Sequence, residues 1–297
     1  MEVSETMKIA AILLSVALLG GPRVLALEEH PAKGIVLKVD VAQRSLVVSC
    51  DAIPGYMDAM EMPFVVPDSK ALPALKPGET VRFTMVEREK VFYAENIQAG
   101  TAANFEPEPV EAGELSALHR VMDPSVVAKI VTVGQQVPDF ALTDQAQAQI
   151  HLSQLEGKVV ALTFGYSRCP NPNYCFRLSN NLSTVERRFH DRAGRDLVLL
   201  TIMIDPDHDQ GATLTRYAGV FKANPEVWHF LTGPLPQIRQ VAGMFGMNFW
   251  SEESLLTHTL HTVVIDRQGR LATNIEGNQF TAKQLGDLVQ TVMDRPQ

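Results

Sequence analysis

Cysteine is scarce in this sequence: Cys50, Cys169 and Cys175 are the only three among 297 residues. So few thiols exclude a disulfide-built scaffold, and no C-x-x-C redox motif is present. Basic charge is short as well. Lys and Arg number 26 against 34 Asp and Glu, a net charge of −8, which excludes the phosphate-neutralising surface of a nucleic-acid binder. The run Ile9 to Leu19 stops after eleven residues and Arg23 interrupts any extension, so it falls short of the roughly 20 needed to span a bilayer. What is there is ordinary for a globular chain: 45% apolar and 20% charged residues, in a length that accommodates two domains.

A charged start, that apolar run, Gly20-Gly21-Pro22 and then Val24-Leu25-Ala26 read as a signal peptide cut after Ala26. Met7-Lys8 makes a cleaner beginning than Glu2 and Glu5 allow. An uncleaved anchor is the alternative, and the lack of cysteine near the cut argues against a lipoprotein. Export places the thiols where they are normally oxidised. Two can pair and one is left over as a ligand, a reactive thiol or an inert buried residue.

From Gly34 to Ala99 the pattern is β-strand: Ile35 to Asp40, Ser45 to Cys50, Met62 to Val66, Thr80 to Glu87 and Val91 to Ile97, separated by turns such as Pro54-Gly55 and Pro77-Gly78. Five short strands in about 70 residues predict a small all-β, OB-like closed barrel. Residues 100–133 read as a linker with a short helix near Glu114 to Met122. Beyond Gly134 strands alternate with helices: strands Val159 to Phe164, Leu197 to Ile204, Thr259 to Asp266 and Leu271 to Glu276, and helices Cys175 to Asp191, Gly211 to Lys222, Leu235 to Phe245 and Ala282 to Met293. The chain is therefore multidomain, a barrel followed by an α/β domain.

The segment Gly55 to Phe64 packs Met57, Met60 and Met62 at the start of a strand. Thioethers are soft ligands that suit Cu(I), although methionine is equally a filler of apolar cores. Met60 and Met62 share a face if the strand has begun there. Cys50 ends the preceding strand, and a hairpin-like return brings its sulfur toward them. On these residues, positions 30–99 resemble the periplasmic Cu(I)/Ag(I)-binding domains of the CusF type, five-stranded barrels with a Met-x-Met pair on one strand. The resemblance implies Met60 and Met62 as ligands, with Cys50 at the family's histidine position and Met57 near its capping aromatic.

In the second domain, Gly165-Tyr166-Ser167-Arg168-Cys169-Pro170 leads through Asn171-Pro172-Asn173-Tyr174 to Cys175 and a helix. A cysteine at a helix N-terminus, near a cation such as Arg168, is favoured as thiolate. A disulfide needs Cα atoms within roughly 4.4 to 6.8 Å, which the two prolines permit by folding the loop back. Pairing, metal chelation and a merely structural disulfide all remain open. His258 lies at the start of the strand Thr259 to Asp266 and His261 faces the other way; two thiolates and an imidazole serve copper in either oxidation state. Met244 and Met247, at helical spacing, read as core.

Residues 134–295 resemble the Sco/SenC family, copper metallochaperones of thioredoxin-like fold that assist assembly of the binuclear copper site of cytochrome c oxidase. The matches are Val137-Pro138-Asp139-Phe140, the Gly165 to Pro170 run, Ile204-Asp205-Pro206-Asp207-His208-Asp209 and His258-Thr259 leading to Val264-Ile265-Asp266. The family's ligands carry over to Cys169, Cys175 and His258. Five residues separate the cysteines where the family usually has three, and Thr257 stands where an aspartate commonly precedes the histidine. Asp205 and Asp209 read as caps that structure their loop.

Three functions compete. The first is a periplasmic, monomeric copper chaperone with a cuproprotein client such as an oxidase subunit, the linker raising the effective concentration of one site for the other. The second is a thiol-disulfide oxidoreductase or peroxidase with its own thiol partner, Cys169 attacking and Cys175 resolving. Against it, Ser167 stands two residues before Cys169, unlike the threonine-containing peroxidase pattern. The third is copper sequestration for tolerance.

Overall fold

The computed structural model describes residues 29–100, 130–252 and 255–296. The expected signal peptide, nearly all of the linker and the helix expected near Glu114 to Met122 lie outside the described residues. The first five strands are β1 (Glu29–Asp40), β2 (Ser45–Cys50), β3 (Met60–Val65), β4 (Thr80–Arg88) and β5 (Val91–Gly100). They close into a barrel in the order β1-β2-β3-β5-β4. Period-two alternation explains the closure: β3 buries Met62 and Phe64 and exposes Glu61, Pro63 and Val65. Leu46, Val48 and Cys50 of β2 line the same interior.

The second domain is α/β. Its short hairpin of β6 (Ala141–Thr143) and β7 (Gln149–His151) precedes β8 (Val159–Gly165), α1 (Arg177–Arg188), β9 (Leu197–Met203), α2 (Ala212–Val220), β10 (Trp228–Leu231) and α3 (Leu235–Met244). A second hairpin, β11 (Phe249–Glu252) and β12 (Leu255–His258), is followed by β13 (His261–Ile265), β14 (Leu271–Glu276) and α4 (Ala282–Met293). The main sheet runs β10-β9-β8-β13-β14, with β8, β9 and β10 parallel and β13 antiparallel to both its neighbours. Every residue of β8 and β9 is buried, as expected of central strands covered on both faces. Leu285, Leu288, Val289 and Val292 form one face of α4 and pack into the core. Met244 and Met247 are core residues. The outer edge of β10 is occupied: the Gln145 amide accepts from the Phe230 N–H at 2.8 Å and donates to the Trp228 carbonyl at 3.0 Å. Thr143 and Thr232 exchange backbone hydrogen bonds beside it.

The two domains share a seam. Val36 of β1 lines the barrel, while its neighbours Ile35 and Leu37 face outward and join the core of the second domain. Burying each such side chain contributes roughly 1.5–3 kcal/mol. The Thr273 hydroxyl donates to the Pro77 carbonyl at 2.6 Å, and Gly78, at φ +89°, lies where any Cβ would run into that hydroxyl. Asp287 accepts from Ser49 of the barrel at 2.6 Å and from Lys283 and Arg188 of its own domain at 2.6 and 2.7 Å.

β1 and β3 begin at Glu29 and Met60, ahead of the expected Ile35 and Met62, and β10 and the two hairpins have no counterpart in the sequence-based expectation; two further differences fall at the cysteine site. The helix expected from Cys175 begins at Arg177, because Pro172–Phe176 forms a π-type turn with a non-helical Tyr174 and an Asn171 side-chain cap. The strand expected from Thr259 begins at His261; His258 instead closes β12, whose partner across the hairpin is Phe249.

Candidate metal centre

The cysteine loop leaves the C-terminal end of β8 and is held by the loop that follows β9. Asp209, fully buried, accepts both the backbone N–H and the hydroxyl of Ser167. Asp205 accepts two hydrogen bonds from the Arg168 guanidinium at 2.7 and 3.0 Å and contacts His208 Nδ1 at 3.0 Å. These aspartates, read from sequence as local caps, also tie a second loop in place. On the far side Asn278 donates to the Asn173 carbonyl at 2.6 Å.

All three cysteines are free thiols. Cys175 is buried and its Sγ lies 3.5 Å from His258 Nε2. His258 Nδ1 is 2.9 Å from the Thr259 carbonyl oxygen. A carbonyl only accepts, so Nδ1 carries the proton and Nε2 turns its lone pair to the sulfur. Cys169 is half-buried. A hydrogen bond from the Cys175 thiol, outweighing burial, pulls Cys169 down to about 4, and the same bond with burial pushes Cys175 well above the ordinary thiol range. The Cys169 sulfur is 3.6 Å from the Asn171 carbonyl oxygen, a contact that is a hydrogen bond only while Cys169 keeps its proton. The helix N-terminus argument favours Cys175 as thiolate, whereas the thiolate sits on Cys169, the attacking thiol of the oxidoreductase reading. Arg168 is engaged by Asp205 and is not among the causes. Tyr166 walls the site: its ring meets the His258 ring edge-on at 5.8 Å, its hydroxyl donates to the Leu256 carbonyl at 3.0 Å, and burial with the two cysteines pushes that hydroxyl up to about 12. Sequence reasoning quotes Tyr166 within the cysteine loop but gives it no role at the site.

Among the described residues no group of three His, Cys, Asp or Glu side chains is gathered tightly enough to hold a metal ion. Cys169, Cys175 and His258 are neighbours whose donors are occupied with one another. Their chemistry, two sulfurs and an unprotonated imidazole nitrogen, nonetheless fits a soft or borderline cation once the Cys175 proton leaves. His261 is apart from this group, with Nδ1 3.0 Å from Asn274 Oδ1.

The sulfur-bearing residues of the barrel lie toward the facing ends of β2 and β3. Cys50 is directly opposite Met60, and Val48 opposite Met62, in the β2–β3 register. Strand β3 has begun at Met60, so both methionines point to the Cys50 face. Met62 is buried with Cys50, Met60 is 47% exposed at the mouth, and Met57 packs against the core from a tight loop in which it exchanges backbone hydrogen bonds with Ile53. Burial, with Asp51 adjacent, pushes the Cys50 thiol up to about 12.

The family model described as copper binding periplasmic protein CusF matches residues 29–99. No curated protein sequence matches the chain. Solved structures similar to it include copper-bound ScoI of Arabidopsis thaliana, 21% identical over 54% of this chain and 100% of that one at TM-score 0.48. Copper-bound ScoI of Bradyrhizobium japonicum is 22% identical over 53% and 99% at 0.45. Copper-bound yeast Sco1 is 22% identical over 55% and 91% at 0.47. The family model described as SCO1/SenC matches residues 132–294; as that is more than half of its length, the chain belongs to the SCO1/SenC family.

Proposed function

We propose that this chain is an exported copper metallochaperone that takes Cu(I) on its barrel through Cys50, Met60, Met62 and Met57, holds copper at Cys169, Cys175 and His258, and delivers it to a cuproprotein such as a cytochrome c oxidase subunit. The observation that carries the reading is the approach of the Cys175 sulfur to the lone pair of His258 Nε2, with Cys169 hydrogen-bonded to Cys175 beside it. One of the thiols is already favoured as thiolate, the form that binds soft metals. Membership of the SCO1/SenC family and the order of the two matched regions support it. The domains comprise a signal peptide at residues 1–26, the barrel at 30–99, a linker at 100–133 and the thioredoxin-like domain at 134–297. The protein works as a periplasmic monomer, released by cleavage after Ala26 or anchored if that cleavage does not occur. X-ray absorption on the reduced mature protein, beside Cys169→Ser/Cys175→Ser and Met60→Leu/Met62→Leu variants, tests it. Two sulfur-rich copper sites, each lost with its own variant, bear it out; copper binding that survives both variants overturns it.

A second reading is favoured by the acidic Cys169 beside a protonated Cys175, an arrangement also suited to thiol-disulfide exchange. Turnover of a disulfide or peroxide by metal-free protein, abolished in Cys169→Ser, distinguishes it. Copper sequestration for tolerance uses the same ligands without a client, and unchanged survival of a deletion strain in excess copper eliminates it.

A further inference from the structure

The barrel end that carries Cys50 is gripped from outside by α4 of the other domain. Gln284 is buried, and its amide is fully used. Its Nε2 donates to Asp51 Oδ1 at 2.7 Å and to the Ser49 carbonyl at 3.2 Å, the residues on either side of Cys50. Its Oε1 accepts from the Thr281 N–H at 2.8 Å, anchoring the amide to the helix start. One turn along α4, Asp287 accepts from the Ser49 hydroxyl. On the other side of Cys50, Gly34 of β1 lies directly opposite, and a Cβ there would come within 2.9 Å of the Cys50 Cα. Ser49 and Asp51 alternate with Cys50 along the strand, so fixing them fixes the direction of the intervening sulfur.

We propose that Gln284 is a positioning residue for Cys50: a side chain of the thioredoxin-like domain sets how firmly the barrel sulfur is presented, so that the barrel site depends on the domain beside it. The metal-binding consequence rests on the barrel reading proposed above, whereas the positioning itself does not. Met60 stands half-exposed at the mouth, whereas Cys50 and Met62 are buried, and of these Cys50 is the one whose neighbours on both sides are held by α4. Rigid donors bind more tightly because less order is imposed when the metal arrives.

The test uses the full chain with Cys169→Ser/Cys175→Ser, in which Cys50 is the sole thiol. In metal-free protein, Gln284→Leu removes both grips and Gln284→Glu sets a carboxylate against Asp51. Each is expected to speed alkylation of Cys50 by iodoacetamide about tenfold, the scale of losing such hydrogen bonds. Gln284→Glu/Asp51→Asn restores a hydrogen bond of reversed polarity and returns the rate toward the parent. Thr281→Ala breaks the helix cap without touching Ser49 or Asp51 and leaves the rate unchanged. Cu(I) affinity, read by competition with a chelator, falls and recovers in the same order. Equal alkylation rates in the parent and both Gln284 single variants overturn the proposal, as does a Thr281→Ala rate that matches Gln284→Leu. If the parent barrel takes no Cu(I), the barrel function falls while the alkylation series still decides the positioning role.

Discussion

Cys175 Sγ and His258 Nε2 stand 3.5 Å apart, with the thiol proton lying between two acceptors, the imidazole lone pair and the Cys169 sulfur. Cys169 is therefore the reactive thiol of the reduced, metal-free protein. Its folded value lies well below that of a free thiol, so thiolate is lost only as pH falls through about 4. Alkylation followed by peptide mass spectrometry is expected to modify Cys169 first, at a rate constant from neutral pH down to near that point. Cys175→Ala removes the donated hydrogen bond and shifts the half-point upward, toward the ordinary thiol value of roughly 8.5.

Asp209 anchors the start of the same loop. Asp209→Ala leaves the Ser167 N–H without its partner in a buried setting. The expected cost is about 1–3 kcal/mol in denaturant unfolding, with slower copper uptake at the cysteine site and unchanged uptake at the barrel.

At the domain seam, burial acts to raise Asp287, but hydrogen bonds from Lys283, Ser49 and Arg188 outweigh it and hold the carboxyl below the usual range. A depressed folded value means the stabilisation is present above the unfolded carboxylate value, about 3.9, and is lost as pH falls through the lower folded value. Asp287→Asn is expected to destabilise the protein at neutral pH by roughly 1–2 kcal/mol and to flatten the acid limb of a stability profile. Thermal unfolding across pH checks both.

Met60→Leu/Met62→Leu changes sulfur for carbon at nearly constant volume. Such swaps cost less than about 1.5 kcal/mol, so the melting temperature is expected to stay close to that of the parent. Loss of barrel copper in this variant then reports a lost ligand and not a lost fold, which circular dichroism on the same sample verifies.

Much of this architecture is legible in the chain because each signal is local. The spans Ser45–Cys50, Leu271–Glu276 and Ala282–Met293 match the sequence reading residue for residue, since strand alternation and helical periodicity are written within a few positions. The Cys50–Met60 juxtaposition follows from one tight connection between neighbouring strands. The seam is another matter. That Ile35 and Leu37 are apolar on the outer face of a barrel has its reason in the second domain, α4 included, far along the chain, and no window of sequence contains both. His258 was placed near the cysteine loop correctly but on the wrong strand, because the pairing of Leu255–His258 with Phe249–Glu252 depends on register and not on composition. Cys169 is the attacking thiol of the oxidoreductase reading, but the cause of its acidity is not legible: Arg168 looks available in sequence and is spent on Asp205 in space.

The Gln145 amide at the rim of β10 has a consequence for the molecule among its copies. An open strand edge is a template on which another chain can add itself. Here a side chain from a neighbouring turn supplies the donor and the acceptor that an incoming strand would offer. The sheet is finished at that side, so copies of the protein can meet at high concentration without that edge seeding growth into fibres.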